Sequence, residues 1–440
     1  MIAQKTHSFF LLFSLLVSLS ACKPTLPEVV PSLEATSTET FPSDLTEVPV
    51  EENPVRLIGY FTSWGVGMRG YQISMIPADR LTHINYAFAA ISPSEPKCAL
   101  GDPVADIQKF YGARDSVDHQ ADVKDSLHGN FNQLLKFKQL YPQIQVLISI
   151  GGWNGSNRFS DMALTETSRR QFVASCIELF MVRYPGVFDG IDIDWEYPVS
   201  GGLRDGRPED KRNFTLLLQE FRRQLDAQSR LDGKPYLLTI AAPAGPAVYP
   251  NLELDQIHRT LNWINLMTYD FHGAWDAITN FNAPLHASSG NPSPDPAVRE
   301  LFNVEAAVKA YLAAGIPPQK LVVGVPFYAR GWQGVPDVNH GLYQPAGGAS
   351  PGVFEPGVYD YSAIKRDYLP SFQRFWHAEA GVPWLYDPTS GIFITYEDPE
   401  SVTLKASYVI ENQLGGIMFW ELSNDGGELV SAIYETLNEP

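Results

Sequence analysis

Eight short runs of β-branched, aromatic and other apolar residues recur along the chain and predict buried strands. The runs are Val55–Phe61, Leu81–Phe88, Gln145–Ile150, Val187–Asp194, Tyr236–Ala242, Trp263–Thr268, Leu321–Phe327 and Gly416–Glu421. Segments with helical spacing of apolar residues separate most of them, namely Phe131–Leu140, Ser168–Val182, Asp210–Leu225 and Val304–Ala314. This alternation predicts an α/β protein, a closed parallel (β/α)8 TIM barrel. An open doubly wound sheet is the alternative, but no Gly-x-Gly-x-x-Gly turn follows the first run to support it.

Two stretches between the runs are too long for simple connections. One extends from about Ser92 to Asn130 after the second run, and the other from Trp332 to about Asp398 before the last run. The second stretch is rich in aromatic residues, and the alternation in Gly391–Tyr396 predicts antiparallel strands. We therefore predict a small α+β insertion, at about residues 333–400 and before the last barrel unit, that walls one side of a cleft.

The N-terminus has the pattern of a targeting segment. Residues 1–22 place Lys5 ahead of an apolar run too short to span a bilayer, which predicts a secretory signal peptide. The run closes with Leu19-Ser-Ala-Cys22, which resembles the lipobox of bacterial lipoproteins and implies lipidation of Cys22. An ordinary signal peptide with an incidental cysteine is the alternative. We therefore expect an exported protein that is either extracellular or anchored on the outer face of a bacterial membrane. In the second case the lipid on Cys22 would be its only attachment to the membrane.

Residues 23–53 are predicted to be a tether. They combine prolines with Thr, Ser and acidic residues and show no apolar periodicity. A chain of this composition is extended and would hold a folded body away from the cell envelope. Residues 54–440 then form the barrel domain.

Composition narrows the classes of ligand. The 440 residues carry a formal net charge of −18, from 32 Lys plus Arg and 50 Asp plus Glu. So acidic a surface repels nucleic acid and anionic lipid headgroups, so the ligand is expected to be neutral or cationic. Nine Trp suit the binding of flat apolar ligand faces, although a large core would also use them. Three cysteines exclude a four-thiolate zinc site, and we interpret Cys98 and Cys176 as ordinary thiols.

The fourth run carries the most informative residues, Asp189-Gly-Ile-Asp192-Ile-Asp194-Trp-Glu196-Tyr-Pro198. Side chains alternate along a strand, so Asp192, Asp194 and Glu196 share one face and the apolar residues share the other. Because the apolar face meets the helices, the acid face points into the barrel, with Glu196 at the C-terminal end where barrel enzymes carry their active sites. Carboxyl groups crowded in a low-dielectric interior raise one another's pKa, which predicts a shared proton and a general acid at Glu196.

Two other interpretations of these acids are a solvated strand end and a site for Mg²⁺ or Ca²⁺. The isoleucines on the opposite face bury the strand, which disfavours the first. Ligands at positions i, i+2 and i+4 of a strand lie in a row rather than around a point, which disfavours the second. We therefore expect neither a metal nor a cofactor.

The acid run resembles the motif of family 18 glycoside hydrolases, the chitinases, and the resemblance covers about residues 55–435. Further motifs that match are Ser149-Ile-Gly-Gly-Trp153, Met267-Thr-Tyr-Asp270, Gly324-Val-Pro-Phe-Tyr-Ala-Arg-Gly-Trp332 and Gly416-Ile-Met-Phe-Trp420-Glu421, on the third, sixth, seventh and eighth predicted strands. The resemblance implies retaining hydrolysis of the β-1,4 bonds between N-acetylglucosamine units of chitin. In this family the substrate's own N-acetyl carbonyl attacks the anomeric carbon.

The resemblance also implies roles for the acids and their neighbours. Glu196 would protonate the glycosidic oxygen and later activate water, and Asp194 would orient the acetamide. Asp192 would share a proton with Asp194, with support from Tyr60 and Ser149.

Further residues are expected around the bound sugar. Tyr269 and Asp270 would hold the acetamide and the distorted ring, Met267 would pack beneath the acids, and Trp420 would form the floor of the subsite. The remaining candidates are cleft residues for which packing or ion pairing is the alternative, namely Trp64, Trp153, Trp275, Tyr328 and Arg330.

The expected partner is chitin or its oligosaccharides, and the chain is expected to be a monomer. Two rival functions are a non-catalytic chitin-binding lectin and an endo-acting N-acetylglucosaminidase on N-glycan or peptidoglycan. Lectins of this family replace the acid that corresponds to Glu196, which is present here. A cleft walled by the predicted insertion suits a long linear polymer.

Overall fold

The computed structural model describes residues 42–43, 45–52 and 55–438. The predicted signal peptide, the lipidation site Cys22 and most of the predicted tether lie outside the described residues. Within the described part, no helix is both long enough and apolar enough to cross a bilayer.

Eight parallel strands form the centre of the molecule. They are β1 (Arg56–Thr62), β2 (His83–Ile91), β3 (Gln145–Gly151), β4 (Gly190–Asp194), β5 (Leu237–Pro243), β6 (Trp263–Met267), β7 (Leu321–Pro326) and β8 (Gly416–Trp420). Each strand pairs in parallel with the next, and β8 pairs with β1, so the sheet closes into a barrel. The predicted TIM barrel is confirmed, and every observed strand overlaps its predicted run.

The four segments with helical spacing of apolar residues each overlap a helix, and further helices occur elsewhere in the described residues. The helices are Gly65–Met68, Gly129–Leu140, Phe159–Ala163, Glu166–Ile177, Asp210–Asp232, Leu254–Ile257, Pro296–Glu300, Val304–Ala313, Tyr361–Ala363, Pro399–Glu411 and Glu428–Asn438. Local sequence sets their ends. The helix Asp210–Asp232 stops at Gly233, whose φ of 68° is the left-handed conformation that glycine adopts readily. The Asp398 side chain caps the helix Pro399–Glu411 by accepting a hydrogen bond from the Ser401 N–H.

The alternation along β4 separates core from site. Ile191 and Ile193 are fully buried in the large core between barrel and helices. Asp192 and Asp194 point the other way, into the barrel. The barrel interior beneath them is filled by the apolar residues Ile58, Leu147, Trp263, Val322 and Met418, among others. The acids therefore lie on a packed floor rather than in an open channel.

A second, five-stranded antiparallel sheet follows β7 in the chain. Its strands, in spatial order, are Val358–Asp360, Tyr328–Trp332, Ile392–Thr395, Val382–Asp387 and Gln373–His377. Trp332 is fully buried and packs with Trp384 and Phe393 in a core of its own. The α+β insertion before the last barrel unit is therefore present. The first strand of this sheet in chain order begins at Tyr328, inside the motif of the seventh predicted strand. Only one residue therefore separates it from the end of β7 at Pro326.

The long stretch after β2 is fixed to the barrel by a disulfide bond. Its short strand Cys98–Leu100 pairs antiparallel with β2, and Cys98 is bonded to Cys176 of the helix Glu166–Ile177. The interpretation of both residues as ordinary thiols is wrong. They lie 78 residues apart in the chain, and only the folded strand and helix bring their Cα atoms to 5.0 Å.

Residues 45–52, at the end of the predicted tether, have no regular secondary structure but contact the barrel. The Val48 N–H donates to the Arg259 carbonyl at 2.8 Å, and the buried Lys320 ammonium donates to the Val48 carbonyl at 2.7 Å. Glu51 forms an ion pair with Arg56 at the start of β1. These contacts hold the segment beside the N-terminal end of the barrel.

Candidate active site

Asp192 is fully buried inside the barrel and accepts hydrogen bonds from four side chains. The hydroxyls of Tyr60 and Ser149 donate to Oδ2 at 2.8 and 2.7 Å. Thr239 and Asn265 donate to Oδ1 at 2.6 and 3.3 Å. Burial raises the pKa of Asp192, and these donors oppose the rise by stabilising the carboxylate.

Asp194 is also buried, but its carboxyl group lacks this support. Its Oδ1 atom has no hydrogen-bond partner among the described residues. Burial, and then the nearby charges of Glu196 and Asp192, raise the pKa of Asp194 well above its usual value. No hydrogen bond joins Asp194 to Asp192 within the described part of the chain. A proton held by this pair of acids is therefore favoured on Asp194. That Asp192 and Asp194 share this proton stays a prediction.

Glu196 lies two residues beyond the end of β4, at the mouth of the barrel, and lines the cleft. Burial is the main cause that raises the pKa of Glu196 to about 7, the Tyr197 hydroxyl opposes the rise, and the charge of Asp270 adds to it. A carboxylic acid with such a pKa retains its proton near neutral pH and is suited to general acid catalysis.

Asp270 and Tyr269 follow β6 and face the acids across the cleft. Asp270 has a φ of +57°, which is a left-handed backbone conformation. Its N–H donates a hydrogen bond to the Asn282 Oδ1 atom at 2.8 Å. Its carboxylate accepts from Arg330 Nε at 2.8 Å, so the barrel and the second sheet meet here. Burial raises the pKa of Tyr269 well above its usual value, with Asp194 the largest of the charges that add to it. Tyr269 is therefore a neutral hydroxyl that can donate.

Aromatic rings cover the floor of the cleft beside the acids. Trp420, at the end of β8, stacks on Phe88 with ring centroids 5.6 Å apart, and it contacts Tyr60 and Trp64 at 5.4 and 6.2 Å. Trp64 also contacts Phe88 at 6.0 Å. This cluster holds the Trp420 ring at one place beneath the mouth of the barrel.

Two further indoles stand at the edge of the cleft and remain open to solvent. Trp153 is 44% exposed and Trp275 is 59% exposed. One face of Trp275 covers the Arg330 guanidinium at 5.0 Å, and the same guanidinium contacts the Tyr328 ring at 5.1 Å. Arg330 therefore pairs with Asp270 and also supports Trp275 at the edge of the cleft. The sequence had left ion pairing and a place in the cleft as alternatives for Arg330, and the structure has both.

The cleft has a volume of about 1100 Å³ and brings most of the predicted residues together. The predicted residues that line it are Tyr60, Trp64, Trp153, Asp194, Glu196, Met267, Tyr269, Asp270, Trp275, Tyr328, Arg330 and Trp420. Asp192 and Ser149 lie beneath this surface and contact each other there. Many of the lining side chains are aromatic and the acids are grouped at the barrel mouth, an arrangement suited to a sugar chain with apolar ring faces.

Several residues that support the site were not predicted, and four of them hold the acids or their backbone. Thr239 and Asn265 hold Asp192, and their inward positions on β5 and β6 follow from strand alternation, so a signal was available. Asn282 holds the Asp270 backbone, and Ser156 contacts the Glu196 backbone. These two lie in loops, where no periodicity shows which way a side chain points.

Comparison with known proteins decides the family. A model described as Glycosyl hydrolases family 18 matches residues 56–425. This chain belongs to glycosyl hydrolase family 18. Among curated relatives, this family 18 member is 41% identical to Chitinase A1 of Niallia circulans, over 96% of its own length and 61% of that protein. It is 34% identical to Chitinase 1 of Aphanocladium album, over 83% of its own length and 80% of that protein. The chain thus spans about three fifths of the length of the first of these relatives.

Solved structures give the same family 18 fold. The catalytic domain of the psychrophilic chitinase B from Arthrobacter TAD20 superposes with a TM-score of 0.82 at 35% identity, covering 88% of this chain and 97% of that one. Chitinase ChiA74 from Bacillus thuringiensis gives a TM-score of 0.81 at 39% identity, covering 87% of this chain and 70% of that one. The predicted membership of family 18 is therefore confirmed.

Proposed function

We propose that this family 18 member is a chitinase that hydrolyses the β-1,4 bonds between N-acetylglucosamine units by substrate-assisted, retaining catalysis. The observation that carries the proposal is the pairing of Glu196 and Asp194 at the mouth of the barrel, both with a raised pKa and both lining one aromatic cleft. The nucleophile in this mechanism is the substrate's own acetamide.

Glu196 acts as general acid and then as general base. Its proton passes to the glycosidic oxygen as the bond to the anomeric carbon breaks, and the acetamide carbonyl oxygen bonds to that carbon to give an oxazolinium ion. The Glu196 carboxylate then accepts a proton from water as that water attacks the same carbon, and the bond from this carbon to the acetamide oxygen breaks, which restores the acetamide. Its raised pKa keeps the group protonated for the first half of the cycle and basic for the second.

Asp194 orients the acetamide and stabilises the charge that forms on it. Its unpartnered Oδ1 atom leaves an acceptor available for the acetamide N–H. Asp192, held by its four donors, lies one layer below and exchanges a proton with Asp194. Tyr60 and Ser149 hold Asp192 in place for this role.

The remaining residues fix the sugar. Tyr269 donates to the acetamide oxygen, and Asp270 holds the distorted ring, which brings the carbonyl oxygen close to the anomeric carbon. Trp420 stacks under that sugar, with Met267 packed beside the acids. Farther along the cleft, sugar units contact the residues Trp64, Trp153, Trp275, Tyr328 and Arg330.

A second candidate function has specific support. A family 18 N-acetylglucosaminidase from Paenibacillus barengoltzii superposes with a TM-score of 0.70 at 31% identity, covering 87% of this chain and all of that one. The two bacterial chitinase structures described above superpose more closely and at higher identity. The walled cleft, with exposed indoles away from the acids, also favours a polymer over a short substrate.

Product analysis on N-acetylglucosamine oligomers tests the proposal. A chitinase releases oligomers from chitin, with the β-anomer formed first, and does not cleave cellulose or fully deacetylated glucosamine polymer, which lack the acetamide nucleophile. Hydrolysis of the deacetylated polymer at an undiminished rate would contradict the mechanism. Release of the monosaccharide alone, with chitin left intact, would favour the N-acetylglucosaminidase.

We also propose that the protein is an exported monomer anchored through a lipid on Cys22. The support is the sequence pattern of residues 1–22 and the tether that follows. Membrane fractionation of the native chain and of Cys22→Ala tests the anchor: the substitution is expected to move activity from the membrane to the soluble fraction. Light scattering on the soluble variant measures the oligomeric state.

A further inference from the structure

The loop that follows β3 lies directly on the end of β4. The Gly152 N–H donates to the Asp194 carbonyl at 2.9 Å. A Cβ atom at Gly151 would overlap the same carbonyl oxygen, and one at Gly155 would overlap the Gly151 carbonyl. Only glycine allows the two backbones to approach this closely. The loop is therefore built to contact the backbone that carries the acids.

Ser156 is the residue of this loop whose side chain reaches the acids' backbone. It is 6% exposed, and its Oγ atom lies 2.8 Å from the Glu196 nitrogen, 2.9 Å from the Gly152 oxygen and 3.1 Å from the Asp194 oxygen. A hydroxyl carries one proton, so it accepts from the Glu196 N–H while it donates to one of the two carbonyls.

Glu196 needs such a partner because the strand ladder ends before it. β4 pairs with β3 only as far as Asp194 and with β5 only as far as Ile193. The Glu196 N–H is therefore beyond both neighbouring strands, in a part-buried position where an unpaired donor is costly. The Ser156 hydroxyl replaces the missing strand at this one residue.

We propose that Ser156 is a positioning residue for Glu196, which fixes the backbone from which the acid reaches the glycosidic oxygen. This inference rests on the proposed function, in which Glu196 is the proton donor. Misplacement of a catalytic group by as little as 1 Å costs orders of magnitude in rate. Ser156 is buried and is not among the residues that line the cleft, so its effect should appear in the step that needs the Glu196 proton.

The test compares two leaving groups in the full chain with Ser156→Ala. A sugar leaves N-acetylglucosamine oligomers only after protonation, whereas dinitrophenolate leaves a dinitrophenyl chitobioside without it. We expect Ser156→Ala to lower kcat/KM on the oligomers by about tenfold and on the aryl glycoside by less than about twofold. A general loss of structure would lower both values equally.

Three further variants calibrate the comparison. Ser156→Cys keeps a weak acceptor at the same position and should give a smaller loss with the same dependence on leaving group. Ser116→Ala removes another fully buried hydroxyl, which donates to Asp118 outside the cleft, and should leave both activities unchanged. Glu196→Gln should show the leaving-group dependence most strongly. Thermal unfolding of every variant reports on folding.

Two results would overturn the inference: equal losses on both substrates, or no loss on the oligomers in a folded Ser156→Ala protein. If Ser156→Ala does not fold, the values of kcat/KM of Ser156→Cys on the oligomers and on the aryl glycoside decide whether the inference holds. A Glu196→Gln protein that lacks the leaving-group dependence would instead contradict the proposed role of Glu196, so the two failures are distinguishable.

Discussion

Asp192 and Asp194 lie two residues apart on the same face of β4, yet their surroundings differ. Asp192 accepts four hydrogen bonds from side chains of β1, β3, β5 and β6. Asp194, one layer nearer the cleft, keeps an oxygen with no partner among the described residues. The protein thus surrounds the deeper acid with donors and leaves an acceptor of the outer acid available.

This difference gives two acids of one strand different affinities for a proton. Hydrogen bonds lower the pKa of Asp192 against the effect of burial, whereas burial and like charges raise the pKa of Asp194 without such opposition. Burial raises the pKa of both acids, but only the lower one has hydrogen bonds that oppose the rise, so a proton is favoured on Asp194 over Asp192. Glu196 continues the trend at the mouth, where its raised pKa of about 7 allows it to exchange a proton.

The largest effect is expected at the mouth itself. Glu196→Gln preserves shape but carries no transferable proton, so kcat on N-acetylglucosamine oligomers should fall by roughly 10³-fold. Binding of the oligomers, measured by calorimetry, should be retained. Full activity in this variant would remove Glu196 from the mechanism.

A matched pair of substitutions tests the two layers against each other. Asp194→Asn should lower kcat by roughly 10²-fold and change the free energy of unfolding little, since the side chain replaced has few protein partners. Asp192→Asn turns an amide donor toward existing donors and should cost about 2 kcal/mol in the free energy of unfolding.

Oligomer hydrolysis and denaturant unfolding separate these outcomes. Equal losses of stability in the two variants would show that the layers do not differ as the hydrogen bonds indicate. An Asp194→Asn protein with unchanged kcat would show that the outer acid does not orient the substrate.

The pH profile sharpens the comparison further. Because burial raises the pKa of Glu196 to about 7, the group is protonated below that pH and loses its proton as the pH rises through it. We expect kcat/KM to be highest on the acidic side and to fall about tenfold per unit well above pH 7. A profile that is flat from pH 6 to 9 would contradict a proton donor at this position.

The smallest effect is expected at the exposed edge of the cleft. Trp275→Ala removes a ring that contacts Arg330 and is 59% exposed, and should raise KM on long oligomers about threefold to tenfold while kcat changes little. Phe110→Ala is the control, because this aromatic residue is 54% exposed and lies outside the cleft. An equal change in both variants would exclude sugar stacking at Trp275.

Sequence alone located the barrel because its strands are dense in β-branched and aromatic residues and are separated by helical spacing. It also placed the acids, since alternation along Gly190–Asp194 permits only one face to be apolar. The same alternation places Asn265 inside the barrel, because it shares a face of β6 with Met267. Asn265 was still not predicted as a site residue, because a single uncharged polar residue in an apolar run gives no further sign of a functional role.

The unpredicted parts depend on contacts between distant segments. Ser156 acts through backbone atoms of Glu196, forty residues later in the chain, and nothing in either local sequence records that approach. Asn282 and Asp270 meet through a main-chain N–H in the same way. Such contacts follow from loop geometry, which periodicity does not determine.

The disulfide joins Cys98 and Cys176, which are 78 positions apart, and the span between them includes all of β3 together with Trp153 and Ser156. In a chain-entropy account, cross-linking a loop of this size lowers the entropy of the unfolded chain and so raises the free energy of unfolding by about 4 kcal/mol. The redox poise of the compartment in which the polypeptide folds therefore governs its resistance to denaturation. Oxidised and reduced preparations should share one catalytic constant but lose it at different temperatures.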